Sequence, residues 1–543
     1  MAYRKCVLVL AVALSLGCGE REARVSQQQA ATPVDLSTPR DGGTLNRHLD
    51  IDISTLNPVL AISRDDRLVA NYLFTPLIRV GADLRPIPGI AASWEITNEG
   101  RLYTFKLNPK ATFADGTPVR AADVLFTLNR IVDPAMEAVQ VASYFELLDP
   151  AQTRVIDDGT IAIGFREPLA AQLGQFNHLL VVPERIYSKG DFKTAFTSTA
   201  VGSGPYKLVS RKPGAEIVLE RRTDYWDSRP HIQTVVFKII TNATTAWNAV
   251  KRGDIDETTI ASDLWVRGTA DPALRDRLEF RRFYMRAYNF VAWNGRDPLF
   301  ADKRVRHALA MCVNLPVLIS SLFFGTARAL NGPFMPDEWA YNPVVPVIAY
   351  NPQEAKRALA AIGWLDTNGD GILDRGGKPF RFDFVVMSGS ATGMSFAQLL
   401  QSDLGKIGVK MEIVVLDGSI AIQRFLAGNY QAGYLAWESD PDPDVFPIFH
   451  SSQAPPQGQN FVFYANPEAD GLIEAGRREI DQSKRAVIYH QLHEILAADQ
   501  PCTWTVQPSL KYAINKRVHN VKESSGLGLF TWYPGEFDWW VTE

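Results

Sequence analysis

The chain has few cysteines, no block of basic residues and no long apolar run. Of its four cysteines only Cys312 and Cys502 lie beyond residue 18, so at most one disulfide can brace the body of this 543-residue protein, and sequence alone does not pair them. In RVRHALAMCV, residues Val305, Ala308, Leu309 and Cys312 recur at helical spacing and put Cys312 on an apolar face, which predicts a buried free thiol. Formal net charge is −4, without a basic stretch, so there is no electrostatic case for nucleic acid or for a polybasic membrane patch. Apolar runs stay below the roughly 18 residues of a spanning helix. Phosphate-cradling loops, dinucleotide fingerprints and Gly-x-Ser-x-Gly elbows are missing, as is any repeat of fixed period. What is present is 46% hydrophobic and 21% charged, enough apolar material for two or three packed lobes.

At the N-terminus Arg4 and Lys5 precede VLVLAVALSLG, too short to cross a bilayer and laid out as a secretory signal. The run ends at Leu-Ser-Leu-Gly-Cys. Leu14, Leu16, Gly17 and Cys18 resemble a bacterial lipobox, with Ser15 where a leucine is preferred. The expectation is a signal peptide over residues 1–17 and lipidation of Cys18, with ordinary secretion as the alternative. Residues 18–40 are then an anchor and tether, because GEREARVSQQQAATPVDLSTPR is polar and has no periodic apolar face to bury.

Beyond residue 40, strand-like segments at 234–240, 382–387 and 410–416 alternate with helix-like segments at 121–132, 352–363 and 394–408. This is the pattern of α/β lobes, and Gly408 followed at once by a strand suits one arm of a βαβ unit. Trp94, Tyr103, Phe105 and Leu107 alternate on a hairpin, and Gly202 and Gly204 suit a close backbone approach. DTNGDGILD (366–374) places Asp366, Asn368, Asp370 and Asp374 at calcium-loop positions, yet Gly377 stands where a bidentate glutamate is needed; a plain turn between helix and strand is favoured. His490, His493 and Glu494 do not follow a zinc-hydrolase order and are expected as surface groups on an amphipathic helix. Trp532, Trp539 and Trp540 are expected to dock the chain end onto a lobe.

Several stretches stand in a fixed order. They are TLNP (55–58), the segment 91–131 containing FADGTPV, VGSGPYKL (201–208), DYW (224–226) and GDID (253–256), followed by 289–310, AWESDPDP (436–443) and 460–473. In this order they resemble the large extracytoplasmic solute-binding proteins of ABC importers, family 5, which includes oligopeptide-, dipeptide- and nickel-binding proteins. The resemblance covers residues 41–543. It implies an α/β, two-lobed, periplasmic-binding-protein-like fold of the large, cluster C type, with a hinge and an inserted subdomain. Lobe one would hold residues 41–75, 202–285 and 513–543, its insertion 76–201, and lobe two 286–512. It further implies a binding protein rather than an enzyme, without metal or cofactor, monomeric and lipid-anchored outside the cytoplasm, that passes a small peptide to a transmembrane permease. A nickel chelate, an opine, a sugar, or the different roles of secreted hydrolase or ligand sensor are the alternatives.

Within WESDPDPD (437–444), the three aspartates Asp440, Asp442 and Asp444 and two prolines after a large aromatic make a rigid loop rather than a helix or strand. Trp437 and Asp440 match the family's Trp-x-x-Asp, whose carboxylate receives a peptide ammonium; the Asp440-Pro441-Asp442-Pro443 spacing is one residue shorter than the usual Asp-x-x-Asp-Pro. The resemblance makes Asp440, Trp437 and Asp442 candidate ligand contacts. Ser63, in ISRD (62–65), and Tyr288 are further candidates, with helix capping as the alternative for Ser63 and packing for Tyr288.

Overall fold

The computed structural model describes residues 38–543 apart from Ile62, Thr197, Ser198, Ser525, Gly526, Thr531 and Glu543, and apart from the side chains of Val139 and Gln140. The signal segment and Cys18 lie outside the described residues. Two large sheets dominate. The first has seven strands in the order Leu278–Tyr284, Ser509–Asn515, Glu257–Thr259, Gly42–Leu49, Ile232–Ile239, Glu216–Arg221 and Tyr206–Lys212. Gly42–Leu49 runs parallel to both of its neighbours, and the flanking pairs are antiparallel. The second sheet has six strands, in the order Arg328–Ala329, Cys502–Gln507, Ala287–Trp293, Ala432–Glu438, Arg381–Met387 and Lys410–Leu416.

Each element forms for local reasons. Arg381–Met387 is parallel to both neighbours, and Phe382, Phe384, Val385 and Val386 are all at most 3% exposed, as a strand covered on both faces requires. Along Ala287–Trp293 the two-residue period sends Tyr288, Phe290 and Ala292 into one core and Val291 and Trp293 into the opposite one. The helix Ala121–Val132 and the strand Lys410–Leu416 coincide with the segments read from sequence. The helix read at 394–408 spans Ala391–Gly405 instead, because the Ser390 hydroxyl accepts the Gly393 N–H at 3.1 Å and starts it a turn early, while Gly408 closes its end at φ +85°.

A four-stranded antiparallel sheet, Ala91–Thr97, Leu102–Leu107, Thr160–Phe165 and Leu148–Asp157, forms a further subdomain, with Trp94 opposite Phe105 in register. It joins the seven-stranded sheet's core through a single continuous cluster of buried apolar side chains. A Cβ on Gly202 would stand 1.9 Å from the Leu73 carbonyl oxygen, and Gly204 N–H donates to that oxygen at 2.9 Å, so the close approach read from sequence is made here.

The chain passes between the two large sheets twice. Leu278–Tyr284 continues into Ala287–Trp293 through Met285 and Arg286, and Cys502–Gln507 continues into Ser509–Asn515 through Pro508. Met285 N–H donates to the Pro508 carbonyl at 3.0 Å, so the crossings lie side by side. Two adjacent single-strand connections between rigid bodies form a hinge.

Three smaller expectations are met. Cys312 and Cys502 are free and at most 1% exposed, and burial pushes the Cys312 thiol up to about 12. Trp532, Trp539 and Trp540 are buried, with Trp540 paired to His519 across a short ladder. The 366–374 segment is a turn. One expectation fails: His493 is fully buried, not on the surface, its Nδ1 accepting the Asn342 N–H at 3.1 Å. Aromatic neighbours Phe334 and Tyr341 cover the ring, and burial pushes its pKa down to about 4.

Candidate ligand-binding site

The strand Ala432–Glu438 ends at the acidic loop, and the first hinge crossing pins that loop in place. Ser439 N–H donates to the Arg286 carbonyl at 2.7 Å, and Arg286 Nε donates to the Asp440 carbonyl at 2.9 Å. Arg286 is itself held by Glu338 at 2.9 Å, with both side chains nearly inaccessible. The loop therefore carries its backbone geometry from the hinge.

Its three carboxylates have different surroundings. Asp442 accepts from Arg485 Nη1 and Nη2 at 2.7 and 2.9 Å, a bidentate pair whose guanidinium also lies 4.9 Å from the Trp339 ring. Asp444 accepts the Phe446 N–H at 3.0 Å and pairs with Arg477 at 2.9 Å. Among the described residues no ion pair of an arginine with the Asp440 carboxylate is formed like those of Asp442 and Asp444; its Oδ1 accepts from the Tyr144 hydroxyl at 3.2 Å. Solvent reaches Asp440, yet protein surrounds it on several sides. That desolvation raises its pKa, opposed by the Tyr144 hydrogen bond and by the charges of Arg286 and Arg67. A carboxylate both wet and walled by protein sits on the side of a crevice.

The facing wall comes from residues 144–178, around the four-stranded sheet, and from the helix Arg64–Leu73. Tyr144 stacks on His178 with ring centroids 4.0 Å apart and planes 4° from parallel. Burial, then the Arg67 charge, pushes His178 down to about 4, so its ring is neutral at pH 7. Arg67 lies on the helix Arg64–Leu73, whose start is fixed by Ser63: the Ser63 hydroxyl accepts the Asp66 N–H at 2.9 Å, and Asp66 Oδ2 accepts the Ser63 N–H at 3.0 Å. A second contact crosses the crevice where Ala170 N–H donates to the Arg477 carbonyl at 2.8 Å.

Of the residues singled out from sequence, Asp440, Trp437 and Tyr288 are brought together, since Trp437 and Tyr288 are register partners on adjacent strands. Tyr288 is 1% exposed and lines, with Trp437, an apolar cavity of about 10 Å³. Asp442 and Ser63 are engaged within the protein, one by Arg485 and the other by its helix. Sequence reasoning missed Tyr144, His178, Arg67, the two arginines that pair with loop carboxylates, Arg477 and Arg485, and Arg286, which holds the loop backbone. Only Arg286, two residues before Tyr288, carried a positional signal. A polar cavity, also about 10 Å³, lies at the C-terminal ends of Gly42–Leu49 and Glu257–Thr259, lined by residues that include Arg47, Asp50, Arg64 and Tyr512. Strand ends of this kind are where open α/β sheets receive ligands. Among the described residues no cluster of three or more His, Cys, Asp or Glu is placed to hold a metal ion.

Residues 85–457 match the family described as bacterial extracellular solute-binding proteins, family 5 Middle. The chain belongs to this family. Family 5 members are solute-binding proteins of ABC importers, so the resemblance carried by the ordered motifs is borne out, as is the two-lobed fold. The oligopeptide-binding protein AppA of Bacillus subtilis is 27% identical over 554 residues, covering 99% of this chain and 98% of AppA. The solved structure of AppA in complex with a nonapeptide superposes with a TM-score of 0.75 at 26% identity, covering 93% of this chain and all of that one. Heme-binding protein A of Haemophilus influenzae is 28% identical over 444 residues, 76% of this chain and 77% of the relative. Family 5 membership implies an extracytoplasmic location and a role in binding rather than catalysis.

Proposed function

We propose that this family 5 protein is the substrate-binding lipoprotein of an ABC importer, capturing a di- or oligopeptide between its lobes and delivering it to a membrane permease. The observation that carries the reading is Asp440: among the described residues, Asp442 and Asp444 form side-chain ion pairs with Arg485 and Arg477 while the Asp440 carboxylate meets the Tyr144 hydroxyl of the opposite wall. A peptide ammonium drawn into the crevice loses hydration, and a charge-assisted bond to an ionised carboxylate replaces it. Trp437 and Tyr288 contribute apolar surface beside it, while Asp442 and Ser63 position the loop and the Arg67 helix. The AppA complex with a nonapeptide supports a peptide as the solute. In this reading residues 76–201 are the insertion and the lobes divide at Met285–Arg286 and at Pro508, a few residues before the 512/513 border expected from sequence, because Ser509–Asn515 pairs with Leu278–Tyr284 in the seven-stranded sheet. The chain works as a monomer held to the membrane through Cys18.

The test is calorimetry with trialanine and N-acetyl-trialanine. Free trialanine is expected to bind, and Asp440→Ala to weaken it by about 2–5 kcal/mol, the cost of leaving a buried ammonium unpaired. Acetylation, which removes the charge from the ligand, is expected to weaken binding to the wild type and to make little difference to the variant. Equal affinity of the wild type for both peptides removes the ammonium assignment.

A further inference from the structure

Besides placing Tyr144 on Asp440, the four-stranded subdomain seats on residues 476–480, at the end of the helix Pro467–Arg478. Two features make the seat. Ala170 N–H donates to the Arg477 carbonyl at 2.8 Å, one of the carbonyls a helix leaves unpaired at its C-terminus, so the subdomain supplies part of this helix's cap. Beside it, a Cβ on Gly100 would stand 2.8 Å from Ile480 Cδ1 and 3.4 Å from Pro168 Cβ. The tip of Ile480 therefore fills the space that Gly100 leaves open, with Pro168 alongside. Gly100 is buried, at φ +86° in the turn between Ala91–Thr97 and Leu102–Leu107, where a side chain would strain the turn and push Ile480 out. Ile480 is otherwise 54% exposed.

This seat is wired to the acidic loop. Arg477 meets the subdomain with its carbonyl and Asp444 with its guanidinium, the latter at 2.9 Å. The Gly476 carbonyl accepts from Arg485 Nε at 2.8 Å, and the two Nη atoms of the same guanidinium hold Asp442. Gly476 presses so closely on the helix Gln482–Asp499 that a Cβ would stand 2.3 Å from Tyr489 Cε2. On the subdomain side, Gln172, 1% exposed, donates to the Tyr144 carbonyl at 3.3 Å and ties the stretch around Ala170 to the tyrosine that meets Asp440. Each wall is thus one rigid piece bearing two contacts, and the two contacts form or part together.

We infer that Gly100, Pro168 and Ala170 with Arg477 and Ile480 form a clasp that holds the lobes closed, coupled to the acidic loop through Arg477 and Arg485. The clasp adds to affinity by a route that is not contact with the solute. A solute bound only by the closed form has an apparent dissociation constant inversely proportional to the closed fraction, so the clasp strengthens binding of every such solute by one common factor. By reciprocity, a bound solute tightens the clasp. This holds whatever the solute is and does not rest on the peptide reading.

The test is hydrogen exchange at the Ala170 amide, with Ile480→Asp as the unseating variant. In the ligand-free protein the variant is expected to speed that exchange about tenfold. In calorimetry it is expected to weaken trialanine and triglycine by one shared factor of about three to ten. Saturating trialanine is expected to slow Ala170 exchange in the wild type. Should Ile480→Asp not fold, Ile480→Ala, which only shortens the side chain, carries the same comparison. An Ala170 amide that exchanges alike in the wild type and the variant overturns the clasp. Faster exchange with unchanged peptide affinity overturns its coupling to the acidic loop. If neither peptide binds the wild type, the peptide reading falls, and exchange in the ligand-free protein still decides the clasp.

Discussion

Asp440, Asp442 and Asp444 are one residue type in one short loop, and their neighbours give them different tasks. Arg485 is 6% exposed at its side chain and meets Asp442 with both terminal nitrogens. Asp442→Ala strands that guanidinium, and a loss of about 3–5 kcal/mol in urea unfolding is expected. Asp440→Ala, at a solvent-accessible carboxylate, is expected to change stability by less than about 0.5 kcal/mol and to act on ligand alone. Similar losses for both variants would show that the loop is not sorted in this way. Lys511 is a second buried charge, at the hinge: its Nζ donates to Ser262 Oγ at 2.8 Å and Thr326 Oγ1 at 3.2 Å, hydroxyls from the two sides of the crossing. Burial, then the Arg282 charge, lowers its pKa to about 8. The unfolded lysine titrates near 10.4, so between about pH 8 and 10.4 the unfolded chain binds more protons and stability rises with pH. Lys511→Met is expected to flatten that rise and to stabilise the protein at pH 7 by up to about 3 kcal/mol, the free energy of two to three pKa units removed. An unchanged slope of unfolding free energy across this window counts against a desolvated ammonium.

At the scale of elements, the 366–374 turn shows how far local pattern reaches. Its acidic residues bind their own backbone: Asp366 accepts the Gly369 and Gly371 N–H groups at 2.8 and 3.0 Å, and Asp374 accepts the Thr367 N–H at 2.9 Å and the Thr367 hydroxyl at 2.7 Å. Gly371, at φ +84°, takes a conformation that side chains disfavour. Asp374→Ala is expected to cost about 1 kcal/mol by removing the acceptor of the Thr367 N–H and hydroxyl, and millimolar calcium to leave the melting temperature of the wild type unchanged; a rise of several degrees with calcium refutes the plain-turn reading. The helix Ala121–Val132 was legible because its stripe and its entry are local. The fate of His493 was not legible, since what covers its ring comes from residues 331–342, on another part of the chain.

At the scale of the molecule, Tyr144 to Asp440 and Ala170 to Arg477 are among the contacts that span the crevice, and the second leads straight back to the acidic loop because Arg477 pairs with Asp444. Ala170→Pro deletes the N–H donor. A hydrogen bond of about 1 kcal/mol net then shifts the balance toward the open form by about fivefold, seen as a larger radius of gyration in small-angle scattering; an unaltered scattering profile means the contact does not hold the lobes together. Sequence by itself determined the α/β alternation, the family and the rigid loop, because each of these rests on residues close together in the chain or on motifs in a fixed order. Tertiary structure alone decided which of the three aspartates pair with an arginine, since Arg477 and Arg485 lie on later helices and Tyr144, which meets Asp440, nearly three hundred residues earlier. Charge balance in a crevice depends on distances in space, and no spacing along the chain encodes them.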